Sequence, residues 1–171
     1  MDAVTGRARS IRLAIFDVDG VMTDGTLYIG AQGEAFKAFN ILDGHGMKML
    51  QSSGVATAII SGRSSEAVAR RASELAIAHV VQGSSDKVAS FEALIASLEL
   101  TEEQCAFVGD DLPDLAVMRR CGLAVAVANA AEPVKSAAHY VTRASGGRGA
   151  VREFCELVLR AQGHLAAQSA V

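Results

Sequence analysis

At 171 residues, half of them hydrophobic, the chain has the length of about one domain and enough apolar material for a full core without staples. Its net charge of −3, with no long basic run, speaks against nucleic acid or a membrane surface as partner. Three cysteines without CxxC spacing, a polar N-terminus and no apolar run near ~20 residues point to a reducing, cytoplasmic setting.

The first apolar run, IRLAIF (11–16), ends on Asp17, and Asp19 follows two residues later. Residues 26–39 form two short runs about Ala31-Gln32-Gly33, which predicts a β-hairpin insert too short to be a lid domain. Helical spacing covers 44–53. VATAII (55–60) is a second strand, followed by Ser61-Gly62-Arg63, and a helix is expected over 64–76. HVV (79–81) leads to Gly83-Ser84-Ser85-Asp86-Lys87 and a helix over 86–98. CAFVG (105–109) ends at Asp110, with Asp111, Pro113 and Asp114 opening a helix over 111–120. LAVAV (123–127) is a fifth strand, 149–161 a last helix, and 162–171 a tail. Continuous apolar runs suit strands buried on both faces, and their alternation with helices predicts one α/β domain over 1–171, a doubly wound Rossmann-like parallel sheet. Sites in such sheets lie beyond the carboxyl ends of the strands, where all the polar clusters fall.

Two carboxylates at a strand end repel unless a cation sits with them, and a hard divalent ion with oxygen ligands fits. An EF-hand is excluded, because Gly20 follows Asp19 at once and Val21 stands at the fifth position. In Gly109–Asp114, helix capping accounts for one or two of the three acids but not for all three. Ser61 and Gly62 form a phosphate-binding corner. Lys87 stands at a helix start, where the dipole disfavours a cation. Together these pieces compose a phosphoryl-transfer site: a carboxylate nucleophile, a second carboxylate to move protons, and Mg²⁺, Lys87 and the Ser61/Gly62 donors to neutralise a phosphate.

DVDGVMTDG, ISGR, Lys87 and GDDLPD, in this order, resemble the four motifs of the haloacid dehalogenase superfamily. The resemblance implies Asp17 as nucleophile, Asp19 as general acid/base, Ser61 and Lys87 as catalytic partners, and Asp17, Asp110 and the Asp19 carbonyl as Mg²⁺ ligands. Asp111 or Asp114 would support the metal shell. FNILDGHGMKML (39–50), the hairpin and VTRASGGRGAVREFCELVL (141–159) further resemble the capless 3-deoxy-D-manno-octulosonate 8-phosphate phosphatase family over nearly the whole chain. That family hydrolyses a phosphorylated eight-carbon sugar acid on the route to the lipopolysaccharide inner core, as homotetramers whose hairpins associate. The resemblance therefore implies a small-molecule sugar-acid phosphate as partner, with substrate contacts from Asn40, Asp43, Gly44, Lys48, Gly62, Arg63, Arg71, Lys87 and Arg148. Leu42 departs from the family, where an arginine commonly precedes the Asp-Gly pair. Alternatives are a nonulosonate 9-phosphate phosphatase, a phospho-receiver and a decayed oligomerisation domain. A receiver is disfavoured because the middle strand ends in Ser61, and decay because every catalytic carboxylate is present.

Overall fold

The computed structural model describes residues 3–165. The chain opens with α1 (Ala3–Arg9) and enters β1 (Leu13–Phe16), then the antiparallel hairpin β2 (Tyr28–Gly30) and β3 (Gly33–Phe36). There follow α2 (Ile41–Ser52), β4 (Ala56–Ile60), α3 (Glu66–Glu74), β5 (His79–Val81), α4 (Lys87–Ser97), β6 (Cys105–Gly109), α5 (Leu115–Met118), β7 (Leu123–Ala126), α6 (Glu132–Ala137), β8 (Tyr140–Val141) and α7 (Ala150–Ala161). Six strands make one parallel sheet in the order β5-β4-β1-β6-β7-β8. The doubly wound fold expected from the apolar runs is the one observed.

β1 is buried along its full length, as are β6 and β7, which explains why these strands read as unbroken apolar runs. The chain winds from β1 out to β5, then crosses back to place β6 on the other side of β1. The strand order therefore reverses at β1/β6, where such sheets open a crevice. Register sets the ends level: Phe16 pairs with Ile59 on one side and Val108 on the other. Asp17 thus leaves its strand level with Ile60 and Gly109, one residue before Ser61 and Asp110 on the adjacent strands.

The helix expected over 44–53 begins at Ile41, because the Asn40 side chain accepts from the Leu42 and Asp43 amides and caps it. Two glycines inside α2 would normally cost about 1 kcal/mol each. Packing accounts for Gly46, where a Cβ would meet Arg152 of α7, its backbone included; at Gly44 a Cβ would meet the movable Arg71 guanidinium. The segment 111–120 is shorter than expected, a 3-10 turn over Leu112–Asp114 leading into α5. The hairpin falls inside 26–39, with Tyr28 and Phe36 stacked at 4.4 Å. Most of the expected tail, 166–171, lies outside the described residues. No helix among the described residues is long and apolar enough to cross a membrane.

Candidate active site

A cleft of about 320 Å³ opens at the β1/β6 crevice, lined by Asp17, Asp19, Ser61, Gly62, Arg63, Lys87, Asp110, Asp111 and Asp114 among others. Three strand ends and the start of α4 converge there, as the strand-end rule requires.

Asp17 and Lys87 are both largely buried. Lys87 Nζ lies 3.0 Å from Asp17 Oδ2 and donates to Asp114 Oδ1 at 2.7 Å. Asp17 Oδ1 accepts from the Val18 amide at 2.7 Å. Asp114 is fully buried, and its other oxygen accepts from the Asp110 and Asp111 amides at 3.0 and 3.3 Å. Asp114 thus grips Lys87 with one oxygen and shapes the Asp110 loop with the other.

One carboxylate oxygen from each of Asp17, Asp110 and Asp114 falls within 4.8 Å of the others. One ammonium does not balance three carboxylates. Burial, followed by the charge of Asp114, pushes Asp17 up to about 6 against the pull of Lys87. Burial, then the charges of Asp17, Asp114 and Asp111, pushes Asp110 up to about 7. Burial pulls Lys87 down, but Asp17 and Asp114 outweigh it and hold its ammonium above the usual lysine range. Asp110 Oδ1 is buried without a hydrogen-bond partner. An all-oxygen donor set with excess negative charge and one unclaimed buried oxygen fits a hard divalent cation such as Mg²⁺.

Gly20 makes this cluster possible. Its φ is +89°, and a Cβ there would run into the Asp110 carboxylate. Thr23, which sequence reasoning passed over, pins the loop: its hydroxyl accepts from the Gly20 and Gly25 amides at 3.3 and 3.2 Å. Asn129 was missed as well. It donates to the Gly20 carbonyl at 3.3 Å and accepts from the Gly146 amide at 2.7 Å, so the C-terminal glycine segment lies directly on the first loop. Nothing in the local pattern around Asn129 marks its long-range role.

Ser61 is buried beside Asp17's strand, and its Oγ accepts from the Arg63 amide at 3.4 Å. Asp19 stands outside the three-carboxylate cluster. Its side chain meets Lys37 at 2.5 Å and Arg63 at 3.5 Å. Lys37 and Glu34, both from the hairpin segment, are further members of the site that the sequence reading did not single out.

Several of the expected contacts are engaged within the chain. Asp111 is exposed and caps Leu112 instead of joining the acid cluster. Asn40 is spent on capping α2. Asp43 is buried and accepts from the Gly149 and Arg152 amides at 3.3 and 2.8 Å, so it caps α7, whose own N-cap is a glycine with no side chain to offer. Gly44 is packed under Arg71, which reaches Glu74 at 3.2 Å and borders a separate cavity beneath the hairpin. Lys48 is exposed on α2, beside a different cleft with His45 and His164. Arg148 is answered by Asp24 at 3.4 Å.

A family model described as haloacid dehalogenase-like hydrolase matches residues 71–154. The 3-deoxy-D-manno-octulosonate 8-phosphate phosphatase KdsC of Yersinia pestis is 52% identical over 164 residues, spanning 96% of this chain and 88% of that protein. The chain belongs to the 3-deoxy-D-manno-octulosonate 8-phosphate phosphatase family. Among solved members, a probable YrbI family phosphatase from Pseudomonas syringae superposes with a TM-score of 0.95 at 56% identity, covering 96% of this chain and 94% of that one. The Moraxella catarrhalis phosphatase of this family, solved with magnesium, phosphate and KDO, superposes with a TM-score of 0.93 at 43% identity, covering 95% and 94%.

Proposed function

We propose that the chain is a Mg²⁺-dependent phosphomonoesterase that hydrolyses 3-deoxy-D-manno-octulosonate 8-phosphate to the eight-carbon sugar acid and phosphate, a step toward lipopolysaccharide core. The observation that carries this reading is the buried Asp17–Lys87–Asp114 cluster, with Asp110 Oδ1 unclaimed, in a chain of this family. Mg²⁺ held by Asp17 and Asp110 supplies charge neutralisation for the phosphate dianion. Asp17 attacks phosphorus, and the ester P–O bond breaks as an aspartyl-phosphate forms. Asp19 protonates the departing sugar oxygen, then takes a proton from the water that attacks phosphorus and frees Asp17. Lys87 and the Ser61 hydroxyl stabilise charge on the transferring oxygens. Asp114 holds Lys87, and Arg63 faces the substrate at the rim.

The reading extends to a cytoplasmic homotetramer made of one such domain per chain. Leu27, Ile29 and Phe36 of the hairpin segment, and Ile41 and Leu42 at the start of α2, are exposed apolar side chains that a second copy would cover. A net charge of −3 opposes association with nucleic acid or an anionic membrane surface. Light scattering on the purified protein tests the assembly.

The decisive measurement is phosphate release from eight- and nine-carbon sugar-acid phosphates with and without Mg²⁺. Asp17→Asn is expected to reduce Mg²⁺-dependent release by more than about a thousand-fold while the assembly persists. Retained activity in that variant overturns the nucleophile, and faster turnover of the nine-carbon compound overturns the substrate.

A further inference from the structure

We propose that Lys37 is a positioning residue for catalysis, one that anchors Asp19 by Oδ1 so that Oδ2 is left to exchange protons with the leaving oxygen. The inference rests on the reading of Asp19 as the acid–base group.

The two oxygens of Asp19 are held very differently. Oδ1 lies 2.5 Å from Lys37 Nζ, and the lysine side chain is only 3% exposed. Oδ2 lies 3.5 Å from Arg63 Nε, a longer contact to a side chain that is 48% exposed. A buried ammonium stays where its partners are, whereas a half-exposed guanidinium can swing away for a substrate. Lys37 is itself fixed from a second side by Glu34 Oε2 at 3.0 Å. Glu34 in turn accepts from the Ser65 hydroxyl at the start of α3 and lies 3.5 Å from Arg63. Two cations and two carboxylates therefore close a neutral network running from the hairpin through the β4–α3 corner to Asp19.

Asp19 sits on a loop and has few other restraints on its side chain. An acid that must meet one oxygen within hydrogen-bond reach loses rate steeply when its rotamer is free. The hairpin supplies the restraint, which gives this insert work inside its own chain.

A simple structural bolt and a positioning residue differ in one observable. Sugar phosphates have a poor alkoxide leaving group that needs protonation, whereas 4-nitrophenyl phosphate leaves as a stable anion and needs little. Because the water-attack half is common to both substrates, the comparison is made on the single-turnover rate of leaving-group release: Lys37→Met is expected to slow release of the sugar acid by about ten-fold or more, and release of 4-nitrophenol by no more than about two-fold. Lys37→Arg keeps an ion pair and is expected to show intermediate selectivity, and it decides the matter if the methionine variant does not fold. Asp19→Asn is run alongside. If it shows the leaving-group selectivity and neither Lys37 variant does, the positioning role is overturned while the acid–base reading stands. If Asp19→Asn slows single-turnover release from both substrates equally, the acid role falls and this inference with it.

Discussion

Replacing Asp43 by alanine removes the carboxylate that caps α7 from a neighbouring helix. Its two oxygens accept from the Arg152 amide at 2.8 Å and the Gly149 amide at 3.3 Å. Hydrogen bonds to a charged acceptor contribute about 1.5–3 kcal/mol each, the longer one at the weak end. Burial opposes them, since desolvation raises the Asp43 pKa despite both amides. The net loss is about 2–3 kcal/mol, or about 5–10 °C in melting temperature for a chain of this size. Asp43→Asn keeps one good acceptor and loses about half as much. Urea unfolding of wild type and both variants measures this as a lower midpoint at constant slope. KM for the sugar-acid phosphate stays within about two-fold, because the carboxylate faces α7 and not the cleft. A KM raised ten-fold with unchanged stability would refute the capping role and make Asp43 a substrate contact.

Gly20→Ala forces a side chain into a left-handed turn and against Asp110. A loss of about 1–3 kcal/mol in stability is expected, with Mg²⁺-dependent activity falling further than stability accounts for. Wild-type activity in this variant would show that the loop tolerates a Cβ. The acids also set a pH dependence. In the metal-free protein Asp17 and Asp110 are raised from 3.8 to about 6 and about 7. The folded chain therefore binds more protons than the unfolded chain between about pH 4 and 7, and its stability falls as pH rises through that window. Mg²⁺ competes with those protons, so it is expected to raise the melting temperature more at about pH 8 than at about pH 5.5. An equal shift at both values would remove Asp17 and Asp110 from the metal site.

Asp17, Ser61 and Asp110 were legible because each follows a continuous apolar run, and strand-end position alone predicts that such residues meet. Lys87 was legible as a cation at a helix start, a conflict that only a buried partner resolves. What a linear pattern does not carry is side-chain direction. Asp43, Asn40 and Lys48 share one helix region yet point to α7, to the α2 amides and to a separate cleft. Lys37 was invisible for another reason, since its partner is eighteen residues away across a hairpin that folds back. The short elements α1, α6 and β8 escaped for want of periodicity: α1 buries a single residue, and β8 is two residues long.

The sheet order also dictates when the site can come into being. β1 is synthesised first but lies between β4 and β6, so one of its edges stays open until residue 109 has been made. The first loop then waits for Gly146 and Gly147, whose backbones press against Gly20 and Thr23 with no room for a side chain between them. Gln162 finally ties the start of the chain by donating to the Ala8 and Ile11 carbonyls. On a ribosome, most of the polypeptide has left the exit tunnel before its earliest catalytic segment can lock. A stalled product ending before β6 would therefore present Asp17 and Asp19 after a strand with one edge unpaired, a state better suited to quality-control recognition than to chemistry.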